Sequence, residues 1–186
     1  EPELGGAPVR PYQPDGVWAE ATFGTIRYQQ DEGAALYRRS LYSFWKRTAP
    51  APAMSTFDAP SREMFCTGRG RSNTPLQALA LMNDVQHFEA ARAFAEKLLA
   101  EQSTDPRRLA LAFRLAVGRE IKPSERPSLE KLVADQKAYY AAHPEDATKL
   151  LKIGQSPAPA GDPSELAAWT QACRVLLNSH EAITRY

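Results

Sequence analysis

The sequence predicts an all-α protein: an irregular helical bundle with a Pro/Gly-rich N-terminal arm and a long ordered loop. Three observations carry this expectation. From residue 85 onward, apolar side chains recur every three to four positions, the spacing of one helix face. Those stretches are introduced by helix-start signals, Thr74-Pro75, Asp84, Asp105-Pro106 and Asp162-Pro163. Pro2, Pro8, Pro11 and Pro14 with Gly5, Gly6 and Gly16 break any regular element at the start. The expected organisation is an extended arm over residues 1–35 and a helical domain over 36–186, one domain overall.

Within the arm, Val17 to Tyr28 has the β-branched and aromatic content of a short strand or two, interrupted at Gly24. Trp18, Phe23 and Tyr28 are expected to pin the arm onto the helical body, because aromatics gain most from burial. Leu36, Leu41, Phe44 and Trp45 form a stripe that predicts a helix from about Ala34 to Arg47, ended by Pro50 and Pro52. The connection from Ala51 to Asn73 is long for a compact domain. Met54, Phe57, Met64 and Phe65 suggest that it is ordered by packing onto the body.

The clearest local signal follows. Thr74-Pro75-Leu76-Gln77 reads as a capping box with Pro at the first helical position. It opens a short helix, about 75–82, and Asp84 caps a second, about 85–101, burying Val85, Phe88, Ala91, Ala95, Leu98 and Leu99. The next helix begins at Asp105-Pro106, turns Leu109, Ala112, Phe113, Ala116 and Val117 inward, and stops at Gly118. Ser124 is the expected cap of another, with Leu129, Leu132, Val133, Gln136 and Tyr139 or Tyr140 along one side. His143-Pro144 interrupts, and a weaker helix spans Glu145 to Lys152. Gly154 to Gly161 is a Pro/Ala linker without core-forming capacity. The last helix carries Leu166, Trp169, Cys173, Leu176 and Leu177.

Composition narrows the function classes. With 43% hydrophobic and 24% charged residues the chain is an ordinary globular one. No apolar run approaches the roughly 20 residues that span a bilayer. The chain starts at Glu1 without an initiator Met, which suggests a piece of a longer protein. The net charge of +1 hides a basic region in which Arg38, Arg39, Lys46, Arg47, Arg62, Arg69 and Arg71 face only Asp58 and Glu63. Such a region can steer an anionic partner. Nucleic acid is the weaker candidate, since recognition modules show a larger basic surface.

The stretch Phe57–Asp84 looks like a site but holds no complete catalytic set. Cys66 and His87 are one nucleophile–base candidate, with Arg62, Arg69 and Arg71 able to favour a thiolate. Against it, Cys66 packs under the loop and His87 sits on a helix surface. Cys66 and Cys173 permit one disulfide or two free thiols. His87, His143 and His180 lie in three elements with no second ligand at helical spacing, so no metal site is expected. The run from Thr67 to Asn73 feeds a helix N-terminus and invites an anion, yet it lacks the ending of a P-loop. The candidate binding residues are therefore Arg62, Cys66, Arg69, Arg71 and Asn73. The competing reading is a clasp, in which the arginines pair with Asp58, Glu63 and other local carboxylates to hold the loop.

The strings from Tyr37 to Arg47, Thr56 to Glu63 and Asn73 to Leu79 resemble one family closely. It is the C-terminal domain of unknown function in large planctomycete and verrucomicrobial surface or periplasmic proteins, a planctomycete-specific domain family. Pro11 to Trp18 and Leu176-Leu177-Asn178 also match, so the resemblance covers nearly the whole chain. One local departure is Val85, where that family tends to have Pro. The resemblance implies an extracytoplasmic location, a multidomain parent and no particular catalytic mechanism. It also implies that any haem belongs to an upstream c-type cytochrome module, since this chain has no Cys-x-x-Cys-His. No cofactor is expected in this segment itself.

Three functions remain open at this point. The first is a non-catalytic module that supports or docks onto other domains of its parent protein, which itself handles polysaccharide. The second is part of a hydrolase or redox enzyme acting on polysaccharide through Cys66 and the loop arginines. The third is binding of an anionic polymer through residues 38–71, with steep salt dependence.

Overall fold

The computed structural model describes residues 1–21, 23–70, 72–157 and 161–184. Its regular elements are helical, and among the described residues the β-structure is a single isolated bridge. The chain divides into two compact units, Glu1–Ala80 and Leu81–Tyr186.

In the second unit two helices start at a capping aspartate. Helix α4 (Val85–Glu101) begins at Asp84, whose carboxylate accepts the N–H groups of Gln86 and His87. Helix α5 (Asp105–Val117) ends at Gly118, which takes the left-handed conformation (φ 80°) while its N–H caps Arg114 O. Helix α6 (Arg126–Ala142) runs into His143-Pro144, and α7 (Pro144–Leu151) follows. Helix α8 (Pro163–Leu177) starts with Asp162 accepting from Ser164 N at 2.9 Å, and α9 (His180–Ile183) closes the unit.

Helix α8 is the axis of this bundle and packs against α4, α6 and α7. Ala167, Ala168, Trp169, Thr170 and Cys173 are sealed from solvent along it. The small alanines let neighbouring helices approach closely, and Trp169 fills the space between them. Ala91, Ala95 and Leu98 of α4, Leu109, Ala112 and Phe113 of α5, and Val133 and Tyr140 of α6 complete the core. Replacing a buried leucine such as Leu98 by alanine in such a core costs about 2–5 kcal/mol.

Two polar side chains of α4 escape the apolar pattern. Glu89 and Arg92 are both buried, and together they hold the segment that follows α7. Arg92 donates to Leu151 O (2.5 Å), Ile153 O (3.2 Å) and Ser156 O (2.5 Å), while Glu89 accepts from Ser156 N at 2.7 Å. Gly154 passes directly over Glu89 with φ 87°, and a Cβ there would lie 2.2 Å from the carboxylate oxygen. The described part of the expected linker adds no apolar core, but its backbone is strapped down. Ala158–Ala160 lie outside the described residues.

Helix α6 corrects one expected boundary. Ser124 is exposed and caps nothing; Glu125 occupies the N-cap position, and no side chain caps the helix. The Glu125 carboxylate is bound instead to Arg119 and to Lys122 N, and Pro127 sits in the first turn of α6.

The first unit departs further from expectation. The helix predicted from Ala34 to Arg47 is absent. Two 3-10 turns, Gly33–Tyr37 and Ser40–Tyr42, are separated by extended backbone at Arg38. The reason is backbone competition: Val9 N donates to Tyr42 O (2.8 Å) and Phe44 N donates to Val9 O (2.7 Å). Only Leu36 of the expected stripe is buried, while Leu41 is exposed. The strand expected within Val17–Tyr28 is likewise replaced by one short helix, α1 (Val17–Glu20), and the long connection opens with another, α2 (Pro52–Thr56).

Trp18 and Tyr28, expected on the helical body, pack within the first unit. Trp18 is buried edge-on to Tyr28 with ring centroids 5.0 Å apart, tilted against Phe44 at 5.7 Å, and covered by the Lys46 ammonium at 4.6 Å. Tyr28 donates its hydroxyl to Pro11 O, and burial, then the neighbouring Asp31 charge, push that phenol up to about 12. Phe23, in contrast, is 99% exposed and anchors nothing. The arm is further tied by Glu1 N to Tyr37 O, Gly5 N to the Tyr42 hydroxyl, and Arg38 to Glu3 O and Gly5 O.

Candidate functional site

The loop that leads into α3 (Pro75–Asn83) is built around three short polar side chains. The capping box forms as expected, with Gln77 N donating to Thr74 Oγ1 (3.2 Å) and Thr74 N donating to Gln77 Oε1 (3.0 Å). Gln77 is buried, and its amide nitrogen reaches beyond the cap to Thr56 O (2.9 Å) and Ser72 Oγ (2.8 Å). Ser72 then gives its hydroxyl (2.5 Å) and its N–H (3.2 Å) to the Asp58 carboxylate. Both ends of the loop are thereby joined through Gln77, Ser72 and Asp58.

The arginines reinforce this closure by different routes. Arg69 donates to Phe57 O (2.8 Å) and Asp58 O (3.1 Å). Arg62 lies over the Trp45 ring, 4.7 Å from its centroid. Arg47 and Glu63 pair through two hydrogen bonds of 2.7 and 2.8 Å. Asp58 and Arg62 both adopt left-handed backbone, φ 56° and 63°. For residues with a Cβ such geometry costs of order 1–3 kcal/mol each and persists only where surroundings enforce it.

Of the expected site residues, Arg62, Cys66, Arg69 and Asn73 are exposed on this loop, and Arg71 lies outside the described residues. A recess of about 160 Å³ lies in the helical unit, bordered by Leu151, Lys152, Asp162 and Leu166 among others, and holds none of them. Among the described residues the loop is closed by partners other than the expected ones: Arg69 binds carbonyls, and the Asp58 carboxylate goes to Ser72. The sequence marked Asp58 as an arginine partner but not its bond to Ser72, because two small polar residues fourteen apart leave no periodic trace.

The remaining chemistry is local. Cys66 is exposed rather than packed beneath the loop, and its thiol donates to Gly68 O at 3.2 Å. His87 turns its Nδ1 to its own helix cap, Asp84, at 3.2 Å. Burial alone would push the Asp84 carboxyl up, but hydrogen bonds from His87 and Gln86 hold it below the ordinary value. Both cysteines are free thiols, so the Cys66–Cys173 disulfide is not formed; burial pushes the Cys173 thiol up to about 12. Among the described residues no group of three His, Cys, Asp or Glu could hold a metal ion.

The basic region is similarly committed. Arg38 stacks on Tyr42 and binds arm carbonyls, Lys46 covers Trp18, and Arg47 pairs with Glu63. Met64 and Phe65, expected to pack the loop down, stand 79% and 93% exposed at its apex.

A family model described as PSD1, protein of unknown function (DUF1553), matches residues 1–133. The chain belongs to the DUF1553 family. The DUF1553 match takes in the arm, the whole clasped loop and the helices into α6, and ends short of Leu176-Leu177-Asn178. Comparison with curated proteins and with solved structures finds no match. No helix among the described residues is long and apolar enough to cross a membrane.

Proposed function

We propose that this DUF1553 chain is a non-catalytic support and docking module of a large extracytoplasmic protein. The proposal includes the planctomycete and verrucomicrobial setting, a c-type cytochrome module upstream as the holder of any haem, and a parent that handles polysaccharide. The observation that carries the docking reading is the uneven apolar surface of the chain. The apolar core cluster lies wholly within residues 91–176, whereas the first unit buries Val9, Trp18, Leu36 and Ala49 alone among its apolar side chains. Away from the loop tip, that unit leaves Leu4, Phe23, Ile26, Leu41, Phe44, Leu76 and Leu79 exposed. A surface on which several of these side chains adjoin is the kind that another module covers.

The test is thermal unfolding and gel filtration of the chain alone and mixed with each neighbouring domain of its parent polypeptide. One of those domains is expected to form a complex and to raise Tm in a concentration-dependent way. Unchanged Tm and separate elution for every neighbour would reject the docking reading. Turnover of a glycan by the isolated chain would reject its non-catalytic part.

A further inference from the structure

We infer that the apex of the clasped loop is a membrane-contact tip, with Met64 and Phe65 entering the headgroup region of an anionic bilayer and Arg62 and Arg69 binding its phosphates. The inference goes beyond docking to sister domains and rests on how the loop is built. Residues 61–70 are all exposed, so this part of the loop is open to solvent along its whole length. At that tip stand two large apolar side chains, 79% and 93% exposed, with no packing role.

Charge points the same way. Both carboxylates of the loop are turned to internal partners, Glu63 to Arg47 and Asp58 to Ser72. Arg62 rests on an indole and Arg69 on two carbonyls, so neither cation is neutralised by a carboxylate among the described residues. Two of the five N–H donors of Arg69 are occupied, which leaves donors for a phosphate. Apolar side chains flanked by uncompensated arginines are the composition that binds an anionic interface: the apolar groups sit at headgroup depth and the cations meet lipid phosphate. The clasp supplies the rigidity, because an apex already fixed loses little conformational freedom on contact.

The test is co-sedimentation of the full chain with vesicles of phosphatidylglycerol and phosphatidylethanolamine, and with vesicles of phosphatidylcholine. Binding is expected on the anionic vesicles, weakening as salt rises, and little on phosphatidylcholine. Phe65→Ser is expected to weaken partitioning by about tenfold or more, and Arg62→Gln by about fivefold. Both positions are exposed, so unchanged circular dichroism should accompany these losses. Phe65→Trp should keep binding and show a blue-shifted emission, relative to wild type, when anionic vesicles are added. Absence of binding at low salt, or equal binding by wild type and Phe65→Ser, would overturn the inference. Self-association lost in Phe65→Ser without vesicle binding would also overturn it and assign the apex to a protein partner.

Discussion

Arg92→Met is expected to be among the most destabilising single changes outside the apolar core. The substitution keeps an unbranched side chain in α4 but removes a guanidinium that donates to Leu151 O, Ile153 O and Ser156 O. It also leaves Glu89, whose side chain is only 3% exposed, without the cation 3.9 Å away. Removing one partner of a buried pair costs about 3–5 kcal/mol, because the other charge stays buried and uncompensated. That is a large share of the 5–15 kcal/mol typical of a domain. Urea unfolding followed by circular dichroism should show a lower midpoint at unchanged m-value. The double variant Arg92→Met/Glu89→Leu should recover part of the loss, since apolar replacement of both partners removes the stranded charge. Hydrogen exchange at residues 151–156 should accelerate in the single variant. A loss below about 1 kcal/mol, the value of a surface ion pair, would refute the strap as a stabilising device.

Gly154→Ala attacks the same strap from the other side. The left-handed φ costs about 1–2 kcal/mol for alanine, and the new Cβ displaces the Glu89 carboxylate from Ser156 N, so Tm should fall by several degrees. Gln77→Ala removes the group that joins Thr56, Ser72 and Thr74. Limited trypsin digestion should then cut after Arg62 or Arg69 much faster, while equal rates would deny Gln77 its closing role. The Arg119 guanidinium, through its side-chain hydrogen bonds, pulls the Glu125 carboxyl down from 4.5 to about 2 and also lowers that of Glu181. Because the folded value lies below the unfolded one, this contribution is complete above about pH 4.5 and fades as pH falls toward 2. Arg119→Gln should remove that part of the acid sensitivity, read by NMR titration of the two carboxylates. Thiol titration at pH 8 should find Cys66 alone in the native chain and both cysteines after denaturation. Two reactive thiols in the native state would contradict the burial of Cys173.

The division between the two units is also a division in legibility. Helices α3, α4, α5, α7 and α8 were visible in the sequence within a residue or two, because their caps and apolar faces are local signals. Leu98, Trp169 and Cys173 follow from spacing alone. The Thr74–Gln77 box was equally legible, since both partners lie within one helical turn. What misled was the stripe Leu36–Leu41–Phe44–Trp45, which has helical spacing although only Leu36 of it is buried. Periodicity counts positions and does not know that Val9 will claim the backbone of Tyr42 and Phe44.

The sequence by itself thus determined an all-α chain, most of the helices of its bundle and the start of α3 beneath a long loop. Those outcomes depend on interactions within a few residues or on one repeated face. Tertiary structure alone decided that Glu89 and Arg92 would be buried, since Arg92 depends on carbonyls and Glu89 on a backbone N–H about sixty residues away. It also decided that Asp58 and Ser72 would close the loop and that Met64 and Phe65 would point outward from it. The physical reason is the same in each case. A polar side chain acquires its role from the partner that satisfies it, and when that partner is distant only the folded chain brings the two together.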